Sequence, residues 1–597
     1  MNYITDRTLK FAKNYDLDCE DEKYIVDTSK DNKSIIKMFK DSRWAYLGSK
    51  YNVDRDINNV LNQLKSINKK SFIIVFGLGS GEYLKKLCKI LKLENKVLII
   101  EPRVEIIKLF LEHEASKFIE DDRIYLVNID DNIRNILNVF IDFENLYNMI
   151  PVVYPAYDRC FFKEYIEIFD YIKIIKDNLM IEFNTTKAIS SGIFYSALNN
   201  IPNIANSVSV NSLKNKFMDK SAIVVSAGPS LEKNIDYLNK IQKDFIIICG
   251  LRNLEGLLNK GIVPDFVCVL DTMDINYQFI ENCSTINIPI VFHESSSYKV
   301  ISNYKGPKIL FLHESSFSKI ISKKVDSLYQ GGSVAHVCTS FAVYIGCKNV
   351  IFTGQDLAYT DDKFHAKSAS FGDEQKKLDG NDYFFVEDVF GEKVKCDSVL
   401  NLFRERLEDF INFNENVNFI NSTEGGANIK GTKVMTLKDS SFIYKNKDFQ
   451  KIDEIKNIIH YSKDEFDSFK IKNIILKNKK SLKDIKKYIE KNKINIKDFS
   501  SYYRNKGKVD ITKIMSKLDD LDRFIHKNCN EFILINNLLS PIILDIMYQK
   551  KFIVSSEDTE KEKGIKVSDK YKMLYCSIKE GIDITIPLLD EVISKLN

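Results

Sequence analysis

The sequence predicts an α/β protein in which a central, doubly wound parallel sheet is preceded by a smaller α/β domain and followed by a helical domain. Three observations carry this expectation. Short apolar runs that end in glycine or acidic turns alternate with stretches of helical period. The alternation starts twice, at Ser71 and again at Ser221. Beyond about residue 435 the glycine turns thin out, and the chain becomes lysine-rich with helical spacing.

In chain order, residues 1–65 mix charge with the periodic apolar positions Ile35, Ile36, Met38 and Phe39, and a helical lead-in is expected there. The run Phe72-Ile73-Ile74-Val75-Phe76 reads as a buried strand, followed by Gly77-Leu78-Gly79-Ser80-Gly81 and a helix-period stretch through Tyr83, Leu84, Leu87 and Ile90. Further strands at Val97 to Ile100 and Ile124 to Val127 complete a Rossmann-like unit. A long helical stretch from about Lys163 to Ser191 serves as its connector, so that this domain covers 66–200. The central domain, 201–435, offers strands at Ile223 to Ser226, Phe245 to Cys249, Phe266 to Leu270, Ile288 to Phe292, Ile309 to Leu312, Val350 to Thr353 and Val417 to Ile420. Helices fall between several of them, as at Leu231, Ile235, Leu238 and Ile241. A helical domain, 436–597, closes the chain, with Ser481 as a candidate N-cap before Leu482, Ile485 and Ile489.

A chain of 597 residues is too long for one hydrophobic core. Its 44% hydrophobic and 28% charged residues are those of an ordinary globular protein, and 87 basic against 83 acidic side chains leave a net charge of +4. A balance so near neutrality gives no whole-molecule field toward nucleic acid or a membrane surface, and neither is expected as a partner. The first residues lack the basic and apolar regions of a signal peptide, and the longest apolar stretch, near Phe532 to Met547, is broken by Asn536, Asn537 and Asp545. The 11 cysteines include no C-x-x-C pair, and Cys249, Cys268, Cys338 and Cys347 sit in apolar runs, which suits a reducing compartment. A cytoplasmic protein is the expectation.

The chemistry gathers at the carboxyl ends of the central strands, where ligands of open α/β sheets bind. Ile223 to Ser226 runs into Ala227-Gly228-Pro229-Ser230-Leu231 and then a helix. A glycine, a proline of fixed φ and a hydroxyl at a helix N-terminus make a candidate phosphate site, although the same turn also serves as a plain tight connection. Phe266 to Leu270 ends at Asp271-Thr272. Val350 to Thr353 ends at Gly354-Gln355-Asp356-Leu357-Ala358-Tyr359, with His365 following. Gly331-Gly332-Ser333 opens a helix through Val334, Val337, Phe341 and Ile345 that Gly346 closes, and Ser333 as N-cap exposes a second anion-binding helix end. Two such ends suit a substrate with phosphate and carboxylate groups.

The segments VVSAGPSLEKNIDYL, DFVCVLDT, GGSVAHVCTSFAVYIGCKNVIFTGQDLAYTDDKFHA and INSTEGGANIKG, in this order within about residues 170–435, resemble the central domain of the motility accessory factors, the bacterial flagellin glycosyltransferases. More distantly they are similar to the bacterial sialyltransferases of GT-A-like, doubly wound fold. The resemblance implies transfer of a nonulosonic acid, such as pseudaminic or legionaminic acid, from its CMP-activated donor to Ser or Thr of flagellin, in support of flagellar assembly and motility and with no cofactor or metal required. It implies that Gly228, Pro229 and Ser230 meet the CMP phosphate, Asp271 the ribose, Ser333 the sugar carboxylate and Tyr359 the leaving phosphate. Thr272, Gly332, Gly354, Gln355, Glu424, Gly425 and Gly426 are further donor-binding candidates. Two positions depart from the sialyltransferase pattern. Ala227 replaces the asparagine usual before the Gly-Pro-Ser turn. His365 stands at the spacing of a second tyrosine, while no histidine occurs between Lys367 and Ile459, where the catalytic histidine of those enzymes falls. His365, or a carboxylate such as Asp356, is then the candidate general base, so that His365, Tyr359 and Asp356 form the candidate catalytic set.

Other motifs compete. Gly77-x-Gly79-x-Gly81, with Glu101 closing the next strand, resembles the nucleotide turn of S-adenosylmethionine-dependent methyltransferases; the alternative is a degenerate domain that positions a protein substrate. His293-Glu294 and His313-Glu314, each followed by two serines, lack the helical spacing of an H-E-x-x-H metal site and read as polar strand ends lining the crevice. The lysine-rich stretch Lys470 to Lys493 reads as a solvated helix face. Two further functions stand beside the transferase. One is a 6-hydroxymethylpterin diphosphokinase-like enzyme, whose Mg²⁺ would call on Asp271, Asp274 and Asp356. The other is a non-catalytic flagellin-binding accessory factor.

Overall fold

The computed structural model describes residues 23–596 apart from 41, 65–66, 69, 130–132, 147, 284–286, 314–315, 323, 370–382, 448, 462–465, 506–509, 528–533, 549 and 555–557. The chain packs as two compact units, one of residues 1–184, 496–511 and 543–573, the other of 185–495, 512–542 and 574–597.

The first unit opens with an antiparallel sheet of β1 (Tyr24–Thr28), β2 (Ser34–Lys40) and β3 (Arg43–Tyr46). This corrects the expected helical lead-in; only Val53–Asn62 is helical in its described part, capped by the Asn52 side chain, which accepts from the Arg55 amide. Ile35, Ile36, Met38 and Phe39 lie on β2, where β1 and β3 pair with both of its edges. Strand pairing is a tertiary event, and a spacing that fits one turn of helix also fits this strand, in which Ile35, Ile36 and Met38 are buried and Phe39 is exposed. A parallel sheet follows, in the order β6-β5-β4-β7, built from β4 (Phe72–Phe76), β5 (Lys96–Glu101), β6 (Ile124–Asn128) and β7 (Met149–Val153). The last of these carries Pro151 and escaped prediction; it sits at the sheet edge, where a proline is tolerated. The long connector forms the helix Phe162–Asn199.

The second unit is built on a nine-stranded, wholly parallel sheet. From β9 (Ser221–Val225) the chain steps outward through β10 (Ile246–Gly250), β11 (Phe266–Val269), β12 (Ile290–His293) and β13 (Lys308–Phe311). It then returns to the other side of β9 as β14 (Asn349–Thr353), with β17 (Asn418–Asn421) beyond. All seven predicted strands are therefore present, and the two-residue edge strands β8 (Val208–Ser209) and β18 (Lys433–Val434) extend the sheet. A separate antiparallel hairpin pairs β15 (Phe384–Glu387) with β16 (Lys393–Cys396). The helix Leu231–Ile241 buries Leu231, Ile235, Leu238 and Ile241 as their spacing predicts. The helix Val334–Tyr344 is buried from Ala335 through Ala342, because it packs on β9, β10 and β11.

After residue 436 the described chain is helical. Ser481, however, lies inside the helix Ser468–Lys491, and Asp467 caps it by accepting from the Lys470 amide. The buried face Ile471, Ile475, Asn478, Leu482, Ile485 and Ile489 continues on both sides of Ser481, so packing carries the helix past a residue that would otherwise start one. Among the described residues no helix is long and apolar enough to cross a membrane.

Candidate functional site

The sheet reverses its order between β9 and β14, and a crevice opens beyond their carboxyl ends. Past the strand pair Val225 and Thr353, the Ser226 amide donates to the Thr353 carbonyl (2.9 Å) and the Gly228 amide to the Gly354 carbonyl (2.8 Å). Gly228 is required by this approach, since a Cβ there would lie 2.2 Å from Asp356 Oδ1. Asp356 is 2% exposed. It accepts from the Ser230 amide (3.1 Å), the Ser230 hydroxyl (2.5 Å) and the Thr360 hydroxyl (2.5 Å). Burial pushes its carboxyl up, and the hydrogen bonds from Ser230 and Thr360 act against that rise. The helix that follows the turn is thus capped from inside the protein by a carboxylate. Ser230, expected on a phosphate, has its amide and hydroxyl committed to Asp356. Gly425 packs on Ser230 and Thr360, a Cβ on Gly426 would strike the Asp356 backbone at 2.3 Å, and the Glu424 carbonyl accepts from Lys233 Nζ (2.9 Å).

A cleft of about 230 Å³ lies over these strand ends. Of the expected site residues, Gly228, Asp271, Ser333, Gly354, Gln355, Asp356 and His365 line it, whereas Pro229, Ser230, Thr272, Gly332, Tyr359, Glu424, Gly425 and Gly426 do not form its wall. Gln355 accepts from the Ser226 hydroxyl. Tyr359 is buried, and its hydroxyl donates to Asp397 Oδ2 (2.7 Å). Asp397 in turn caps the helix Ser398–Phe413 through the Leu400 amide (2.8 Å), and Leu400 and Phe403 of that helix are cleft residues. Tyr359 therefore holds a wall in place. His365 is half-buried, with its ring 4.4 Å from that of Phe364. The next amide, of Ala366, donates to the Ala227 carbonyl (2.8 Å) and ties this segment to the glycine turn.

The opposite wall is the N-terminus of the helix Val334–Tyr344, where the Ser333 hydroxyl accepts from the Ala335 amide (3.3 Å). Gly250 lets this helix close on β10, since a Cβ would lie 2.9 Å from Val334 Cγ1. Beside it stand two residues that sequence reasoning missed, Arg252 and Asn253. The Arg252 guanidinium lies 4.8 Å from the Phe279 ring centroid. Asp271 is open to solvent yet ringed by protein; that desolvation raises its carboxyl, and the charge of Arg252 works against the rise. Asn253 is 3% exposed; its Nδ2 donates to the Val225 carbonyl (2.8 Å), while its Oδ1 has no protein donor and offers an acceptor at the cleft wall. The signal was present. The strand before them was predicted, and the strand-end rule applied to it leads straight to Gly250-Leu251-Arg252-Asn253.

A model of the MptE-like family, 6-hydroxymethylpterin diphosphokinase MptE-like, matches residues 195–362, which include β8 to β14 and most of the cleft. Over nearly its whole length the chain is similar to the structure of the MAf glycosyltransferase from Magnetospirillum magneticum AMB-1, with 97% of this chain and 94% of that one covered, a TM-score of 0.55 and 13% identity. The fold is that of a Maf glycosyltransferase. The resemblance drawn from the four sequence blocks thus extends to the architecture. No curated protein sequence matches the chain.

Two other motifs of this Maf fold resolve differently from the cleft. His293, at the end of β12, bonds Ser295 Oγ through Nδ1 (2.8 Å) and Ser316 Oγ through Nε2 (2.9 Å), and burial lowers its pKa to about 3. Glu294 accepts from the Ser318 amide (2.7 Å). These residues form a buried network and do not line the crevice as expected; Glu314 and Ser315 lie outside the described residues. Among the described residues no three His, Cys, Asp or Glu side chains gather as a metal site.

The glycine turn of the first unit is filled. Cβ atoms on Gly77 and Gly79 would meet the rings of Tyr157 at 2.5 Å and Tyr154 at 2.9 Å. Glu101 accepts from the Leu78 amide (2.8 Å), the Tyr157 hydroxyl (2.8 Å) and the Arg103 amide (3.1 Å), and burial raises its pKa to about 8. Tyrosine rings pack directly on the glycines, and the carboxyl expected on a ribose is fully buried.

Proposed function

We propose that this chain is a glycosyltransferase that moves a nonulosonic acid, of the pseudaminic or legionaminic type, from its CMP-activated form to Ser or Thr hydroxyls of flagellin in the cytoplasm. The observation that carries the reading is the cleft at the β9 to β14 reversal of a Maf fold, with Arg252 and a helix N-terminus on one wall and His365 on the other. The donor carries a phosphate and a carboxylate, and these two positive features suit two anions. Breaking the bond to CMP develops negative charge on the phosphate, which donors fixed in a cleft stabilise without reorganisation. The Asp271 carboxylate takes the ribose hydroxyls, and the Asn253 acceptor takes a donor group of the nucleotide. His365 serves as the general base for the acceptor hydroxyl. Asp356 and Tyr359 act one step back: the first holds the glycine turn, the second the helix Ser398–Phe413. No resident metal or cofactor enters this reading.

The match to the MptE-like model favours a second reading, transfer of a diphosphate to a hydroxymethylpterin. It would draw on Asp271, Asp274 and Asp356, but Asp356 is engaged by Ser230 and Thr360, and Asp274 accepts from the Ser297 hydroxyl (2.8 Å). Coexpression of flagellin and the CMP-nonulosonate pathway with wild type, Arg252→Ala or His365→Ala, followed by the intact mass of flagellin, tests these readings. Wild type is expected to add sugar mass, and His365→Ala to slow the transfer roughly 100-fold. Flagellin that binds but gains no mass points to a non-catalytic accessory factor. Diphosphorylation of 6-hydroxymethylpterin points to the kinase, and normal glycosylation by His365→Ala removes the base assignment.

A further inference from the structure

A second, larger cavity of about 780 Å³ lies at the other end of the central sheet, where the loops enter β10 to β13. Its floor is Val263, Pro264, Ile288, Pro289 and Pro307, and the helix Lys451–Tyr461 closes over it with Ile452, Ile455 and Ile459. The three prolines lack an N–H, so each leaves one donor fewer for an apolar guest to desolvate. The Pro289 and Pro307 carbonyls are bonded to the amides of Val267 (3.0 Å) and Ile290 (2.8 Å). The floor is thereby both apolar and fixed.

The charge around the cavity is one-sided. Asp265 is the one carboxylate among the described lining residues, and Lys451 neutralises it at 2.7 Å. Lys451 spends its other N–H groups on the Gln242 and Phe245 carbonyls, each at 2.7 Å, which anchors the roof helix to the sheet. Lys243 and Lys456 stand exposed at the rim. Asp453 and Glu454 of the same helix are not part of the wall. The floor consists of strand ends rather than a sheet edge, so it offers an extended peptide no ladder to continue. The volume falls in the range of small-molecule sites, about 300–1,000 Å³.

We propose that this cavity binds a monomeric amphiphile with an apolar body and a single anionic head, a carboxylate or a phosphate, the body lying on the proline floor and the head at the lysine rim. The proposal is independent of the chemistry at the cleft. Isothermal titration of the full chain with dodecanoate, dodecyl phosphate and dodecanol, each below its micelle concentration, tests it. Dodecanoate and dodecyl phosphate are expected to bind one to one, with dodecanol about tenfold weaker or worse. The double variant Lys243→Glu, Lys456→Glu, which alters exposed side chains only, is expected to weaken both anions about tenfold while leaving dodecanol unchanged. Asp453→Lys, outside the wall, is expected to leave all three unchanged. Non-saturable uptake, binding confined to anionic vesicles, or a double variant that binds like wild type overturns the proposal.

Discussion

The Gly77 to Gly81 junction and the Gly228 to Ser230 junction are written alike and end differently. Each follows a fully buried five-residue strand, each leads to a helix, and in each a buried carboxylate accepts a turn amide: Glu101 from Leu78, Asp356 from Ser230. The difference comes from the neighbouring strand. Beside β4 runs β7, whose continuation delivers Tyr154 and Tyr157 onto the glycines; beside β9 runs β14, whose continuation delivers Gly354 and Gln355 and leaves a cleft. A glycine turn states that something comes close. It does not state whether that is a ligand or the protein's own ring.

The largest effect expected from this comparison is a pH dependence at Glu101, whose pKa rises from 4.5 to about 8 in the fold through burial. Between those values the folded carboxyl keeps a proton that the unfolded chain has lost, so unfolding releases a proton and stability falls as pH rises. The slope is at most about 1.4 kcal/mol per pH unit and vanishes on either side of that window. Urea melts between pH 5 and 8 check this; Glu101→Gln, neutral throughout, removes the slope, and an unchanged slope in that variant breaks the assignment. Next comes Gly77→Ala. At φ +107°, with a Cβ 2.5 Å from the Tyr157 ring, it is expected to destabilise the first unit by about 3 kcal/mol or more. S-adenosylmethionine should leave the Tm of the wild type unmoved; a ligand-induced rise would mean that the tyrosine plug opens.

On the other side of the comparison, Asp356→Asn keeps the shape but weakens the bonds to Ser230 and Thr360, and a loss of about 1–3 kcal/mol is expected in denaturant melts of the second unit. The smallest effect belongs to Ser333→Ala. Loss of its bond to the Ala335 amide costs about 1 kcal/mol, and on the proposed function it also weakens donor binding, measurable by titration with CMP. A donor affinity that falls more with Asp356→Asn than with Ser333→Ala would make the inner cap, rather than the open helix end, the principal determinant of the site.

Much of the second unit was legible because its signals are local. Buried parallel strands such as Ile246–Gly250 are short apolar runs whatever surrounds them, and a helix with Leu231, Ile235, Leu238 and Ile241 shows its buried face in its spacing. The candidate site was legible in outline, since the crevice follows from strand ends, and seven of the named residues line it. Its interior was not. Ser230 and Tyr359 were read as pointing at a ligand, but they bond Asp356 and Asp397, partners 126 and 38 positions away in the chain. Nothing in local sequence ranks such a partner above solvent or substrate.

The sequence by itself determined the seven strands of the central sheet from Ile223 to Ile420, the buried face of the helix Leu231–Ile241 and the family likeness that the fold carries, because these depend on period, turn chemistry and block order. Tertiary structure alone decided that Ile35 to Phe39 pair as a strand, that one glycine turn is plugged and the other open, and that Arg252 and Asn253 join the cleft. Each of these depends on which distant segment comes to lie alongside, and burial makes that choice by removing water as the competing partner.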